Sequence, residues 1–228
     1  MSASVPLVER LTSTVARELL VAVTGLALVG FILMHLSGNL LIFFGPEVFN
    51  DYSAKLHAVP ELLWIARIGL LVAFFTHLGM AISLARANRG ARERAYDTEV
   101  RVGRKSPATR MMLLSGLTIF VFIFLHLYDF TLRDHHGPLT LVGEEELGLY
   151  GLVWNSFGQP VRALIYIVAV SCVGLHLSHA ISSMLVTLGV LRESATDGAE
   201  RLAMGLGAAV ALGFSSIPLY VLIATHVF

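Results

Sequence analysis

The chain alternates long apolar runs with short polar ones, on a scale far longer than a strand. From Leu19 to Pro46 there is no charged residue. A helix rises 1.5 Å per residue, so about 20 apolar residues cross a bilayer core. Five stretches meet that length, at about 18–44, 61–86, 109–131, 160–188 and 202–226. Strands of a membrane barrel would be shorter and would alternate in polarity, and these do not. The pattern predicts an all-α membrane protein, a single integral domain over residues 1–228 with five transmembrane helices. Arg67 and Asp129, near span ends, are expected to snorkel or to sit at the interface. The 132–158 segment is the one long loop on the side opposite the basic clusters, and it has room for a short interfacial helix.

Composition agrees with this pattern. Hydrophobic residues make up 56% of the chain and charged residues 14%, with mean hydropathy +0.75, which is too apolar for a soluble domain of this length. Sixteen basic residues balance 16 acidic ones, so the charge points to no nucleic-acid partner. The single cysteine, Cys172, cannot form an internal disulfide, a Cys-ligated iron–sulfur cluster or a CxxCH haem attachment. The opening "MSASVPLVERLTSTVARE" is polar and lacks a small-residue cleavage site, so the first apolar run is expected to be a true span.

Basic residues orient the bundle. Arg86, Arg89, Arg92, Arg94, Arg101, Arg104, Lys105 and Arg110 cluster between spans two and three. Arg10 and Arg17 precede span one, and Arg192 and Arg201 separate spans four and five. In a five-span topology these regions share one side, which the positive-inside rule makes cytoplasmic. The N-terminus is therefore expected inside and the C-terminus outside. Lys55, Arg133 and the run Glu144–Glu146 fall on the outer side.

Four histidines lie within spans one to four: His35, His77, His126 and His176. An ionisable group at bilayer depth is costly and marks a candidate functional site. Depth follows from the helical rise. His35 lies about 27 Å past Arg17, and His126 about 24 Å past Arg110. His77 lies about 14 Å before Arg86, and His176, ahead of Arg192, falls in the inner half too. Two pairs result, His35 with His126 at an outer level and His77 with His176 at an inner one. Two facing imidazoles are what a bis-histidine haem requires, one axial nitrogen on each side of the iron, and bundles build such sites from facing helices. Gly25 and Gly116 each stand ten residues before the outer histidine of their span, which brings both near the inner level. Glycines there would make room for a porphyrin, although glycine also serves plain helix packing in membranes. His179, on nearly the same face as His176, competes with it as a ligand or packs. His135 and His136 are expected in solvated loop, and His226 at the end of span five.

The motifs resemble a known family. "VTGLALVGFILMHLSGNLLIFFGPEVFNDYSAKLH" is similar to the first span and following loop of the dihaem cytochrome b subunit of succinate:quinone oxidoreductases and quinol:fumarate reductases. "FFTHLGMAISLARANRGARERAY" resembles its second span and basic inner loop. "SGLTIFVFIFLHLYDF" resembles its third span, and "GLHLSHAISSML" its fourth. The resemblance implies five spans enclosing two haems b. A distal haem would be held by His35 and His126, and a proximal one by His77 and His176. It implies flavoprotein and iron–sulfur partner subunits, with the succinate site on another subunit. A membrane quinone, usually menaquinone, would be the second substrate, and the setting would be the respiratory chain of a bacterial inner membrane, with higher oligomers of the complex open. By the same resemblance the quinone sits near the distal haem. The polar residues available there are Asn39, Glu47, Asn50, Tyr52, Lys55, His57 and Glu61. Of these, Glu47 and Glu61 are candidate proton carriers, and Tyr52 and His57 candidate partners of a quinone carbonyl. Two other readings stay open: the dihaem cytochrome b of another respiratory oxidoreductase, and a proton-coupled transporter with a histidine relay.

Overall fold

The computed structural model describes residues 13–90, 107–191 and 196–227. Among the described residues five helices are long and apolar enough to cross a membrane: Thr14–Phe44, Pro60–Asn88, Met111–Leu132, Pro160–Thr187 and Asp197–His226. They coincide with the five expected stretches to within a few residues. The chain is thus a multi-pass helical membrane protein by length and composition. Several residues used to orient it, namely Arg10, Arg92, Arg94, Arg101, Arg104, Lys105 and Arg192, lie outside the described residues.

Helix α1 (Thr14–Asn39) starts at Ser13, whose hydroxyl accepts a hydrogen bond from the Ala16 amide at 3.2 Å and so satisfies an otherwise orphaned N–H. It tightens into a 3-10 segment, Leu40–Phe44, and stops at Gly45. Gly45 has φ +97°, a conformation in which a side chain would be strained. The chain turns there into α2 (Pro46–His57), a helix the apolar scan passes over because it carries few apolar residues. Its signals are of another kind. Proline occupies the first position, Glu47 the first turn, and Lys55 and His57 the last turn, all matching the helix dipole.

Helix α3 (Pro60–Gly90) returns alongside α1, where the Arg17 guanidinium donates to Ser83 Oγ at 3.1 Å. Helix α4 (Pro107–Leu127) continues through a π-helical turn, Tyr128–Leu132. A β-hairpin, β1 (Leu141–Val142) with β2 (Glu145–Glu146), leads into α5 (Gly148–Phe157). Then come α6 (Pro160–Thr187) and α7 (Thr196–His226). α4 lies along α6, and α1 touches α6. Phe74 of α3 stacks on Phe120 of α4 with ring centroids 6.2 Å apart, closing a ring of four helices.

The tightest seam joins α6 to α7. Membrane helices have no hydrophobic drive to associate, so close approach relies on small residues. Gly174 and Gly207 meet backbone to backbone, and a Cβ on either would collide with the other's carbonyl oxygen. Ala203, fully buried, stands one turn before Gly207 on the same stripe.

The loop end of the bundle carries a cap made of α2, the hairpin and α5. Ile42, Phe49, Tyr150, Val153, Phe157, Tyr166, Ile217 and Val221 form its core. Asn50 staples it: Nδ2 donates to the Leu147 carbonyl at 2.8 Å, and Oδ1 accepts from the Tyr150 amide at 3.1 Å. Asn50 is therefore committed to the backbone and not free for a quinone. The short helix expected in the 132–158 loop is α5, but it is a packed lid, with Leu152 1% exposed.

Candidate functional site

α1, α3, α4 and α6 each carry one intramembrane histidine into the four-helix ring. At the outer level the rings of His35 and His126 stand 5.6 Å apart, centroid to centroid, at 87°. Aromatic side chains surround them. Phe31 stacks on His35 at 5.3 Å, and Phe214 of α7 lies 5.9 Å away. Phe122, Phe130 and Tyr166 pack on His126 at 5.8, 5.5 and 6.2 Å. Asn39 is not turned away toward a separate site. Its Nδ2 donates to the His35 carbonyl at 2.8 Å and lies 3.3 Å from His35 Nδ1. One helical turn on the same face is enough to fold the amide back over the ring.

At the inner level each histidine leans on a neighbouring helix at a hydroxyl–glycine dipeptide. His77 of α3 meets Thr24 and Gly25 of α1, and His176 of α6 meets Ser115 and Gly116 of α4. A Cβ on Gly25 would stand 3.3 Å from His77 Cε1, and one on Gly116 would stand 3.6 Å from His176 Cε1. The glycines thus lie at the inner level, as the ten-residue offset requires. Thr24 Oγ1 is 3.3 Å from His77 Nδ1, and Ser115 Oγ is 3.1 Å from His176 Nδ1. His179, on nearly the same face, is exposed, while Ser115 of α4 stands against His176, so the residue turned toward α4 is His176.

Asp129, near the end of its span, is packed inside the protein rather than solvated. It is 0% exposed. Arg162 Nη1 donates to Oδ1 at 3.0 Å, the Tyr166 hydroxyl donates to Oδ2 at 2.9 Å, and Arg133 lies 3.8 Å away. The π-helical turn rotates Asp129 into the bundle, one turn past His126, and Tyr166 touches both. No apolar scan finds this cluster. The available signal was a carboxylate in "HLYDF" and an arginine just after Pro160, both at the same end of adjacent spans. The Arg67 guanidinium stands 5.3 Å above the Trp64 ring, near the start of its span.

The remaining polar candidates separate. Tyr52 packs against α1, where a Cβ on Gly38 would lie 2.5 Å from its ring, so it stands three residues beyond His35. Glu47 lines a shallow open groove with Val48, Asn50, Asp51 and Ala54. Lys55 is exposed and pairs with Asp51 at 3.8 Å. His57 is exposed, its Nδ1 donating to the Ser53 carbonyl at 2.8 Å, and Glu61 is exposed as well. His226 is exposed at the end of α7, and His135 Nε2 donates to the Phe130 carbonyl at 3.1 Å.

Among the described residues no three His, Cys, Asp or Glu side chains converge on a metal-sized site. The histidines come in twos. Two imidazoles are too few for a metal held by protein alone, which takes three or four protein ligands. They suit an iron already ringed by four porphyrin nitrogens. With metal–imidazole bonds of about 2 Å, ring centroids about 6 Å apart accommodate such an iron, and the outer pair at 5.6 Å is near that spacing. The donor set therefore fits a bis-histidine haem. Comparison with protein-family models, with curated proteins and with solved structures finds no match.

Proposed function

We propose that this chain is the dihaem cytochrome b anchor of a succinate:quinone oxidoreductase, holding one haem b between His35 and His126 and another between His77 and His176. The observation that carries this reading is the placement of four histidines, one per helix, as two pairs at two levels of one bundle. The resemblance of the four span motifs selects the family. On this reading the N-terminus is cytoplasmic in a bacterial inner membrane. Flavoprotein and iron–sulfur subunits dock on that side, and a menaquinone or similar quinone reacts near the outer level.

Held by these histidines, two haems would supply one-electron carriers. The chain's own residues do the rest. Four imidazoles fix the two levels, and Gly25 and Gly116 let the inner rings lie close against their neighbours. The aromatic shell around His35 and His126 excludes water, which raises the weight of every nearby charge. Tyr52, packed one turn beyond His35, is the best-placed hydroxyl for a quinone carbonyl.

The test is an absorption spectrum of the purified protein, oxidised and reduced. A Soret band with a sharp α-band on reduction, at two haems per chain, is the expected result. Absence of both bands after expression with ample haem contradicts the proposal. Co-purification of a flavoprotein separates this family from other dihaem cytochromes.

A further inference from the structure

The two inner histidines share more than a depth. Each faces a hydroxyl-bearing residue that directly precedes a glycine, Thr24–Gly25 or Ser115–Gly116, on the helix packed against it. In both places the hydroxyl proton is already committed to its own helix. Thr24 Oγ1 donates to the Leu20 carbonyl at 2.5 Å, and Ser115 Oγ donates to the Met111 carbonyl at 2.7 Å. A hydroxyl whose proton points at a carbonyl can only accept from the imidazole. For His77 the assignment has independent support. Its Nδ1 lies 3.1 Å from the Val21 carbonyl, which can only accept. Nδ1 must then carry the proton, and Nε2 keeps its lone pair.

We infer that Thr24 and Ser115 are positioning residues of the inner site: each takes the Nδ1–H of an inner histidine, fixes the tautomer that presents Nε2 to a metal, and strengthens that nitrogen as a donor. Such outer-shell acceptors raise ligand basicity, and losing one commonly costs 10–100-fold in metal affinity. A more basic imidazole favours ferric over ferrous iron, so removing the acceptor raises the midpoint potential of that haem. The two helices are not equivalent in this respect. His77 keeps the Val21 carbonyl when Thr24 is changed, whereas Ser115 is the polar partner seen at His176. Ser115 is also 5% exposed, so little water can replace it.

This inference rests on the proposed dihaem reading, and the experiment separates the two. Ser115→Ala, Ser115→Thr and Thr24→Val are purified with the wild-type chain, and haem content and both midpoint potentials are measured by redox titration. Ser115→Ala should keep the outer haem unchanged, raise the inner midpoint and weaken inner-haem retention about tenfold or more. Thr24→Val should move the same potential in the same direction by less. Ser115→Thr should restore wild-type values, since threonine already fills the equivalent place on α1. An unchanged inner midpoint in Ser115→Ala, with both haems bound, overturns the inference and leaves the dihaem reading standing. Loss of the inner haem in Ser115→Ala and Ser115→Thr alike also overturns it, because it marks a packing site. A wild-type chain without haem overturns the dihaem reading itself, and this inference with it.

Discussion

Asp129, fully buried, and Arg162, 23% exposed, form an ion pair at 3.0 Å that ties the C-terminal end of α4 to the first turn of α6. Tyr166 completes it from the next turn of α6, and its ring also touches His126. Removing one partner of a buried pair strands the other charge, at a cost of about 3–5 kcal/mol. Arg162→Ala, which strands the buried Asp129 carboxylate, should destabilise the protein toward that order, and Asp129→Ala, which leaves a part-exposed guanidinium, by less. The double variant should lose far less than their sum. Thermal unfolding in detergent, run as a double-mutant cycle, checks the coupling. Additive losses would show that the pair does not act as a unit.

The inner glycines should show graded tolerance. A methyl on Gly116 meets His176 at an ordinary contact distance, whereas one on Gly25 must push His77 aside by a few tenths of an ångström. Gly116→Ala should retain the inner haem, and Gly25→Ala should weaken its binding. Leucine at either position should displace the ring and empty the inner site. Haem content per chain reads this series directly.

Tyr52→Phe should keep both haems and lower quinone turnover by up to about tenfold, the worth of one neutral hydrogen bond. Lys55→Ala and His57→Ala, both on the exposed side of α2, should change turnover little. Steady-state kinetics with a soluble quinone distinguishes them. If His57→Ala costs more than Tyr52→Phe, the site lies on the other face of α2.

The hairpin loop should respond to acid. The Gly137 amide donates to Glu146 Oε1 at 3.0 Å and holds that carboxyl below its ordinary pKa. A lowered folded pKa means the contact contributes above the unfolded carboxyl's pKa and is lost as pH falls through the folded one. Protection of the Gly137 amide, corrected for intrinsic exchange, should therefore drop at acid pH. Glu146→Gln should reduce it at neutral pH as well. Protection independent of both would rule out this contact as its source.

Apolar run length was enough to locate the spans, because bilayer thickness leaves a helix few alternatives. Helical rise sets His35 and His126 at one depth, where their rings stand 5.6 Å apart, and sets Gly25 and Gly116 at the depth of His77 and His176, which they adjoin. What run length could not show was anything set by rotation. Asp129 faces inward only because a π-helical turn rotates it, and Asn39 folds back on His35 through a side-chain torsion. Thr24 and Ser115 were invisible for a related reason: a hydroxyl in an apolar run reads as neutral until the neighbouring helix brings an imidazole to it. Helix α2 escaped because its signals are dipole-matched charges rather than apolar residues.

The most direct test of the paired levels is haem content and redox spectrum in four single variants, His35→Ala, His126→Ala, His77→Ala and His176→Ala. Each should bind one haem instead of two. His35→Ala and His126→Ala should lose the same spectral component, and His77→Ala and His176→Ala the other. If His35→Ala and His77→Ala lost the same component, the pairing of His35 with His126 would be wrong.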